Sequence, residues 1–287
     1  MITETKLPYL IKLLDDKEPA TQEALRLEFA ASSGDLSHEL TALGLGLDLS
    51  PQDKAKLTHL LLPARRKTLM NEWQIPAGGK SGMAEDWDSF EYHLRLISDY
   101  LHDGISLRPT LSDALDLISD EFTADHQNTT ISADKLRLWL FADGKFLGNK
   151  KYYYLPQNSD LCWVADSGLG NPISLATVFM LVARRLNIEV SGCNYPGHFL
   201  ARIYSGAEMQ LVDCFHKGRI IPAQKVLSDH KEISINAKAA IAGHASLGDI
   251  LWRFLKNLEH AFEQSNTHGK RDADVKLFAT LSKSLER

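Results

Sequence analysis

Residues 170–203 read GNPISLATVFMLVARRLNIEVSGCNYPGHFLARI, and residues 211–215 read LVDCF. Asn171 is a strong helix-capping residue and Pro172 suits the first helical position, so the spacing predicts a helix from about 172 to 186. Ile173, Val178, Leu181, Val182 and Leu186 supply its apolar contacts, and Arg184 and Arg185 suit the negative end of the helix dipole. Ser174 then falls near the third helical residue, over unpaired backbone N–H groups and the positive end of the dipole. A thiol placed there would be pushed towards thiolate. A serine hydroxyl gains much less and needs an adjacent general base. His198 could be that base and Asp213 could fix its tautomer, which lays out a nucleophile–His–Asp order along the chain.

Around this stretch the periodicity changes. IEVSGCNY, HFLARIYS and MQLVDCF are short runs rich in β-formers, separated by Pro196-Gly197 and Ser205-Gly206. Helix followed by three strands reads as an α+β core with antiparallel pairing. Upstream, WDSFEYHLRLISDYLHDG reads as a helix stopping at Gly104, TLSDALDLISDEFTAD as one capped by Thr110 or Ser112, and ISADKLRLWLFAD as one ending at Asp143-Gly144. GKFLGNKKYYYLPQNSDL reads as an irregular aromatic loop packed on the domain. Downstream, GDILWRFLKNLEHAFEQ and DADVKLFATLSKSLER form two amphipathic helices joined by the polar loop NTHGKR.

The first 74 residues read as helical, with Leu10, Leu13 and Leu14 and then Ala24, Leu25 and Phe29 at helical steps. This helix–turn–helix resembles a HEAT-like repeat, which must dock on a neighbour to bury its faces. More helix is expected at about 52–71. IPAGGKSGMA, residues 75–84, is the most linker-like stretch. The expected division is thus a helical region 1–74, a linker 75–84, a core 85–240 and a helical tail 241–287.

Bulk properties narrow the partners. A net charge of −5, from 32 basic and 37 acidic residues, gives no basic footprint for nucleic acid. No long apolar run suggests a membrane span, and the N-terminus does not read as a secretory signal. Three cysteines without paired spacing fit a reducing cytoplasm, and no metal or cofactor motif is present. Cys162, Cys193 and Cys214 read as buried small hydrophobes, with Cys214 facing away from Asp213 on a regular strand.

The blocks G-N-P-I-S-L-A, V-A-R-R-L, G-C-N-Y-P-G-H-F-L-A-R and V-D-C-F resemble the transglutaminase-like superfamily, and more closely its bacterial SirB-type branch. F-L-G-N with Y-Y-Y-L-P-Q-N-S-D-L fits the same branch, as does I-L-W-R-F-L-K-N-L, which there leads into tetratricopeptide-like helices. The resemblance covers roughly residues 110–287. It implies a transglutaminase-like (cysteine-protease-like) fold, a central helix packed on an antiparallel sheet. It also implies a site in which Ser174 stands in the slot of a nucleophilic cysteine, with His198 as base and Asp213 as its orienter.

Two readings of function follow. In one, the chain is non-catalytic and binds a peptide or protein in the former cleft. In the other, Ser174, His198 and Asp213 form a serine hydrolase or acyl-transfer site acting on an amide or ester; cysteine-type transglutaminase or protease chemistry is not expected. A purely structural role for all three residues stands beside both. Asn158, Tyr154, Asn194 and Gly197 are expected to line the cleft, with Tyr152 and Tyr153 beside them. His216 and Lys217, on a turn past Asp213, are placed to contact an acidic group.

Overall fold

The computed structural model describes residues 2–45, 49–127, 129–224, 227, 234–265, 269 and 271–286. It divides into two compact units, residues 1–74 with 99–108 and residues 75–98 with 109–287.

In the first unit, helices α1 (Leu7–Lys12), α2 (Pro19–Ala30), α3 (Ser37–Ala42) and α4 (Pro51–Glu72) surround one apolar cluster. Leu7, Leu10, Leu25, Phe29, Leu40, Leu57 and Leu61 are buried in it, so the neighbours that a helical pair needs are present. Leu13 and Ala24, expected on the inner stripe, point outward. Ser50 caps α4 by accepting from the Asp53 N–H, and Pro63 is accommodated within the helix.

The second unit opens with α5 (Gly79–Gly82) and α6 (Trp87–Leu101), whose last residues belong to the first unit. Then come α7 (Leu111–Asp125), capped by Thr110, and α8 (Ala133–Arg137), which continues as a π-helical turn over Leu138–Ala142. Next are β1 (Leu147–Gly148), α9 (Leu161–Ser167), β2 (Leu169–Gly170) and α10 (Pro172–Arg185). The chain continues through β3 (Ser191–Cys193), β4 (Leu200–Ser205), β5 (Glu208–Asp213) and β6 (Arg219–Pro222). It ends with α11 (Ile235–Ala242), α12 (Leu247–Gln264) and α13 (Asp272–Ser284).

Helix α10 is the axis of this unit. Every residue from Pro172 to Ala183 is buried, and the helix packs against α7, α9 and β4. Asn187, at a φ of 55°, takes the left-handed conformation just past its end. Strands β3–β4–β5–β6 form an antiparallel sheet in chain order, with Cys193 opposite Leu200, Ala201 opposite Val212 and Asp213 opposite Arg219. Arg202 on β4 is buried and donates to the Ala240 and Ile241 carbonyls, satisfying the end of α11. The coarser α+β expectation, a largely helical unit with a small antiparallel sheet, holds in these terms. No described helix is long and apolar enough to cross a membrane.

Several expectations are corrected. The sheet has a fourth strand, β6, beyond the three expected. The aromatic segment contains strand β1, paired parallel to β2, and a 3₁₀ turn at Pro156–Ser159. Strand β5 ends at Asp213, so Cys214 belongs to a 3₁₀ turn (Cys214–His216) and is buried there. Most of the NTHGKR loop lies outside the described residues.

The stretch 75–84 makes backbone contacts with the C-terminal helices. Gly78 and Gly79 turn the chain at positive φ, Lys80 N–H donates to the Leu285 carbonyl, and Leu247 N–H donates to the Ala84 carbonyl. Its glycines serve close backbone approach and turning, not flexibility. Gly248 in α12 lies so close to this segment that a Cβ would sit 2.2 Å from the Lys80 carbonyl oxygen. Gly248→Ala is therefore expected to cost about 1–3 kcal/mol through overpacking, read as a fall in Tm of roughly 2–10 °C by calorimetry. An unchanged Tm would show that the segment is free to move away.

Candidate functional site

The turn after β5 converges on one carboxylate. Asp213 is buried, with only 3 % of its side chain accessible. Its Oδ1 accepts from His198 Nε2 at 2.8 Å and from the His216 backbone N–H at 3.2 Å. Its Oδ2 accepts from His216 Nδ1 at 2.9 Å and from Arg219 Nη2 at 3.2 Å. Burial pushes the Asp213 carboxyl up, but the hydrogen bond and charge of His198, and then those of His216, outweigh it and hold the carboxyl at about 2. The ionised Asp213 accepts the Nε2 proton of His198, which leaves Nδ1 as the nitrogen turned away from the carboxylate.

His198 reaches this position through a glycine turn. Gly197 has a φ of 76°, and a Cβ there would meet nothing within 4 Å. The glycine is needed for the left-handed backbone and not, as its place beside His198 suggests, for close approach. The His198 ring packs edge-on against Phe215, whose centroid is 6.2 Å away. Phe215 in turn takes Tyr153 edge-on at 5.7 Å. Gly148 on β1 makes room for Phe215, since a Cβ there would lie 2.5 Å from the Phe215 carbonyl oxygen.

Ser174 does not join the pair. It is 0 % exposed; its N–H and its Oγ both donate to Asn171 Oδ1, at 3.0 and 2.9 Å. The Asn171 amide donates to Ser159 Oγ at 3.3 Å. Among the described residues no hydrogen bond connects Ser174 with His198. The thiols offer no substitute nucleophile. Burial raises the Cys193 pKa, and its S–H donates to the Ala240 carbonyl at 3.2 Å. Cys214 is pushed up further, by burial and by Asp213. None of the three cysteines forms a disulfide, and all are buried.

The expected lining residues fall into two groups. Tyr152, Tyr153 and Tyr154 are exposed at 56 %, 41 % and 50 %, with the Tyr154 ring edge-on to His260 on α12 at 5.3 Å. Asn158 is wholly buried. Its amide donates to the Tyr152 and Tyr153 carbonyls at 2.7 and 2.9 Å, and its Oδ1 accepts from Asn149, so it shapes the tyrosine loop from beneath. Asn194 Oδ1 accepts from Arg253 Nη1 on α12. A small cavity of about 50 Å³, room for one or two waters, is lined by Tyr153, Tyr154, Ser159, Asn171, Asn257 and His260. It reaches Asn171 but not Ser174. A wider groove of about 520 Å³ lies at the other end of α10, where Arg184, Arg185, Asp88 and Glu91 line it, away from every candidate site residue.

Phe215, Arg219 and Arg253 also belong to the site, and their sequence signals are weak. Phe215 ends a strand-like run, and Arg219 lies on the unexpected β6. Arg253 sits on an amphipathic helix, where a cation normally faces solvent. The chain carries no metal motif, yet ligand atoms of His198, Asp213 and His216 lie within 4.8 Å of one another. Both Asp213 oxygens already accept two donors each, one of them the Arg219 guanidinium, so a cation would have to displace a positive charge.

The carboxylate clamp has a defined pH signature. An unfolded Asp titrates near 3.9, and the folded one at about 2. The clamp's stabilisation is thus present above about pH 4 and is lost as pH falls through about 2. Asp213→Asn should lose on the order of 2 kcal/mol at neutral pH, measured by urea unfolding. Its deficit relative to wild type should shrink between about pH 4 and pH 2. A deficit constant over that range would show that the charge of Asp213 is not what holds the turn.

Comparison with known proteins matches the transglutaminase-like superfamily over residues 108–256, just over half of the chain. A UPF0162 protein of Xylella fastidiosa strain 9a5c is 37% identical over 134 residues, covering 45% of this chain and 48% of that protein. The UPF0162 protein PA3419 of Pseudomonas aeruginosa is 32% identical over 112 residues, or 36% of this chain and 38% of that protein. The mouse F-box only protein 21 is 28% identical over 161 residues, 53% of this chain and 24% of that protein. The matched regions thus span about half or less of the curated relatives' length. No solved structure matches. With the helix Pro172–Arg185, the antiparallel sheet and the His198–Asp213 pair all inside the matched span, the chain belongs to the transglutaminase-like superfamily.

Proposed function

We propose that this chain is a non-catalytic transglutaminase-like protein that binds a peptide or protein segment against His198, Phe215 and the tyrosine loop. The observation that carries this reading is the state of Ser174: wholly buried, with its hydroxyl proton given to Asn171. A serine nucleophile must lose that proton to a base in the same step that it meets the substrate carbonyl. Neither a base nor a path for substrate is in place. Exposed tyrosines beside a half-buried histidine instead form a surface of the kind on which peptide side chains dock, since aromatic rings supply large contact area at low entropic cost.

Assignment to the SirB-type branch, a HEAT-like N-terminal region and a tetratricopeptide-like tail formed by α12 and α13 belongs to the same reading. Helical modules of these kinds are common interaction surfaces. A reducing, cytoplasmic setting accords with three buried thiols that form no disulfide. One observation favours the rival hydrolase reading: His198 and Asp213 hold the geometry of a base and its orienter, with Nδ1 turned away from the carboxylate.

Fluorophosphonate labelling separates the two. The wild type is expected to label no more than Ser174→Ala and to turn over no activated ester; labelling that disappears with Ser174→Ala would establish the hydrolase. On the binding side, peptides selected from a random display library against the wild type should lose about tenfold or more in affinity to Tyr154→Ala, the loss of an aromatic hot spot. Peptides that bind both proteins equally would place the docking surface elsewhere.

A further inference from the structure

Helix α12 turns one face towards the site. Arg253, Asn257 and His260 follow one another at four- and three-residue steps along it; Asn257 and His260 line the small cavity with the tyrosines, and Arg253 reaches the loop before His198. Arg253 Nη1 donates to the Tyr195 carbonyl at 3.0 Å and to Asn194 Oδ1. The same Tyr195 carbonyl accepts the His198 N–H at 3.3 Å, so the arginine and the histidine hang from one oxygen. The guanidinium lies 5.4 Å from the centroid of the Phe199 ring.

What sets Arg253 apart is what it lacks. Half-buried Arg185 is held by Glu91 and Asp116, and buried Arg202 by carbonyls at the end of α11. Among the described residues no carboxylate pairs with Arg253, and both of its hydrogen bonds use the same nitrogen. Burial lowers its pKa, and the groups that act on its charge are Tyr153 and Cys193. Burial holds each of those above its ordinary value, so both are neutral at pH 7. A partly desolvated guanidinium with unused donors is costly to leave unpaired, and its planar fork matches a carboxylate.

The surroundings favour the same occupant. Lys217 and Arg219 follow on the turn past His198, whose loop Arg253 holds, and the one acid there, Asp213, is buried with both oxygens engaged. These cations stand in a chain whose net charge is −5.

We propose that Arg253 anchors a carboxylate of the ligand that docks against His198 and the tyrosines, so that the site selects acidic peptides. This rests on the peptide-binding reading above. The carboxylate can come from a peptide C-terminus or from an acidic side chain, and the guanidinium chemistry is the same for both.

The test is an NMR titration of the full chain that follows the Arg253 Nε–Hε signal together with the His198 and Tyr154 ring signals. Three probes are used: acetyl-glycyl-leucyl-glutamine with a free C-terminus, acetyl-glycyl-leucyl-glutamate amide, and the neutral acetyl-glycyl-leucyl-glutamine amide. The expected result is saturable movement of all three signals with one or both acidic probes, the neutral probe binding at least about tenfold more weakly, as loss of one charge-assisted pair requires. The acidic probe that binds more tightly identifies the source of the carboxylate.

Arg253→Gln should abolish the preference for acid, and Arg253→Lys should keep part of it. A residue that only pins the Asn194–Tyr195 loop would confer no such preference. Equal binding of the three probes, with His198 and Tyr154 moving, would overturn the role of Arg253 and leave the peptide-binding reading intact. Movement at Arg253 without His198 or Tyr154 would overturn the shared site. An Arg253 signal that no probe moves would overturn the proposal directly.

Discussion

The site depends on one buried carboxylate. Asp213 ends β5 and draws together three elements: the loop carrying His198, the 3₁₀ turn carrying His216, and β6 carrying Arg219. A carboxylate this deep would be costly if unpaired, because it has left water without replacing its hydrogen bonds. Four donors replace them, and their charge holds it ionised. The same bonds fix the ring of His198, since Nε2 must face the acceptor. Position, tautomer and charge at the site thus follow from a single buried group.

Helix α10 supplies the other fixed element, and its burial explains why the Ser174 hydroxyl is engaged at the helix end. An N-terminus pointing into a protein interior has orphan N–H groups that water cannot reach. Asn171 satisfies the Ser174 N–H with its side-chain oxygen, and the neighbouring hydroxyl, one carbon from the backbone, folds onto the same oxygen. The cap that makes the helix possible is therefore also the acceptor that occupies the hydroxyl. A sulfur at this position would draw on the dipole to ionise, which a hydroxyl cannot do. The histidine and its aspartate, tied to each other and not to Ser174 by hydrogen bonds, form a preorganised hydrogen-bonding pair.

Much of this was legible in the residues. Asn171-Pro172 before an apolar run announces α10, and period-3.6 leucines and phenylalanines announce α12 and α13, because caps and amphipathic stripes are local signals. Asp213 inside LVDCF announces a buried carboxylate that needs a partner, and His198 is one. What escaped was decided by distance or by the dual meaning of glycine. β6 is the four-residue RIIP, too short and too close to proline to show alternation. Gly78, Gly79 and Gly82 suggest a linker in sequence, whereas in the fold they allow tight turning and close contact. Gly197 misled in the opposite sense, being needed for its φ in open space. The Ser174 hydroxyl takes its acceptor three residues away, in the Asn171 side chain that also caps the helix.

The arrangement of cations follows from the same logic of satisfaction. In a folded chain, a guanidinium removed from water is normally matched, by carboxylates as at Arg185 or by helix-end carbonyls as at Arg202. Arg253 is matched on one nitrogen alone, at the place where the loop of His198 begins. The Asp213 carboxylate cannot serve it, because His198, His216 and Arg219 hold both of its oxygens. The clamp that holds the histidine thus also keeps the nearby carboxylate from Arg253, which is what makes a ligand carboxylate the partner proposed for it.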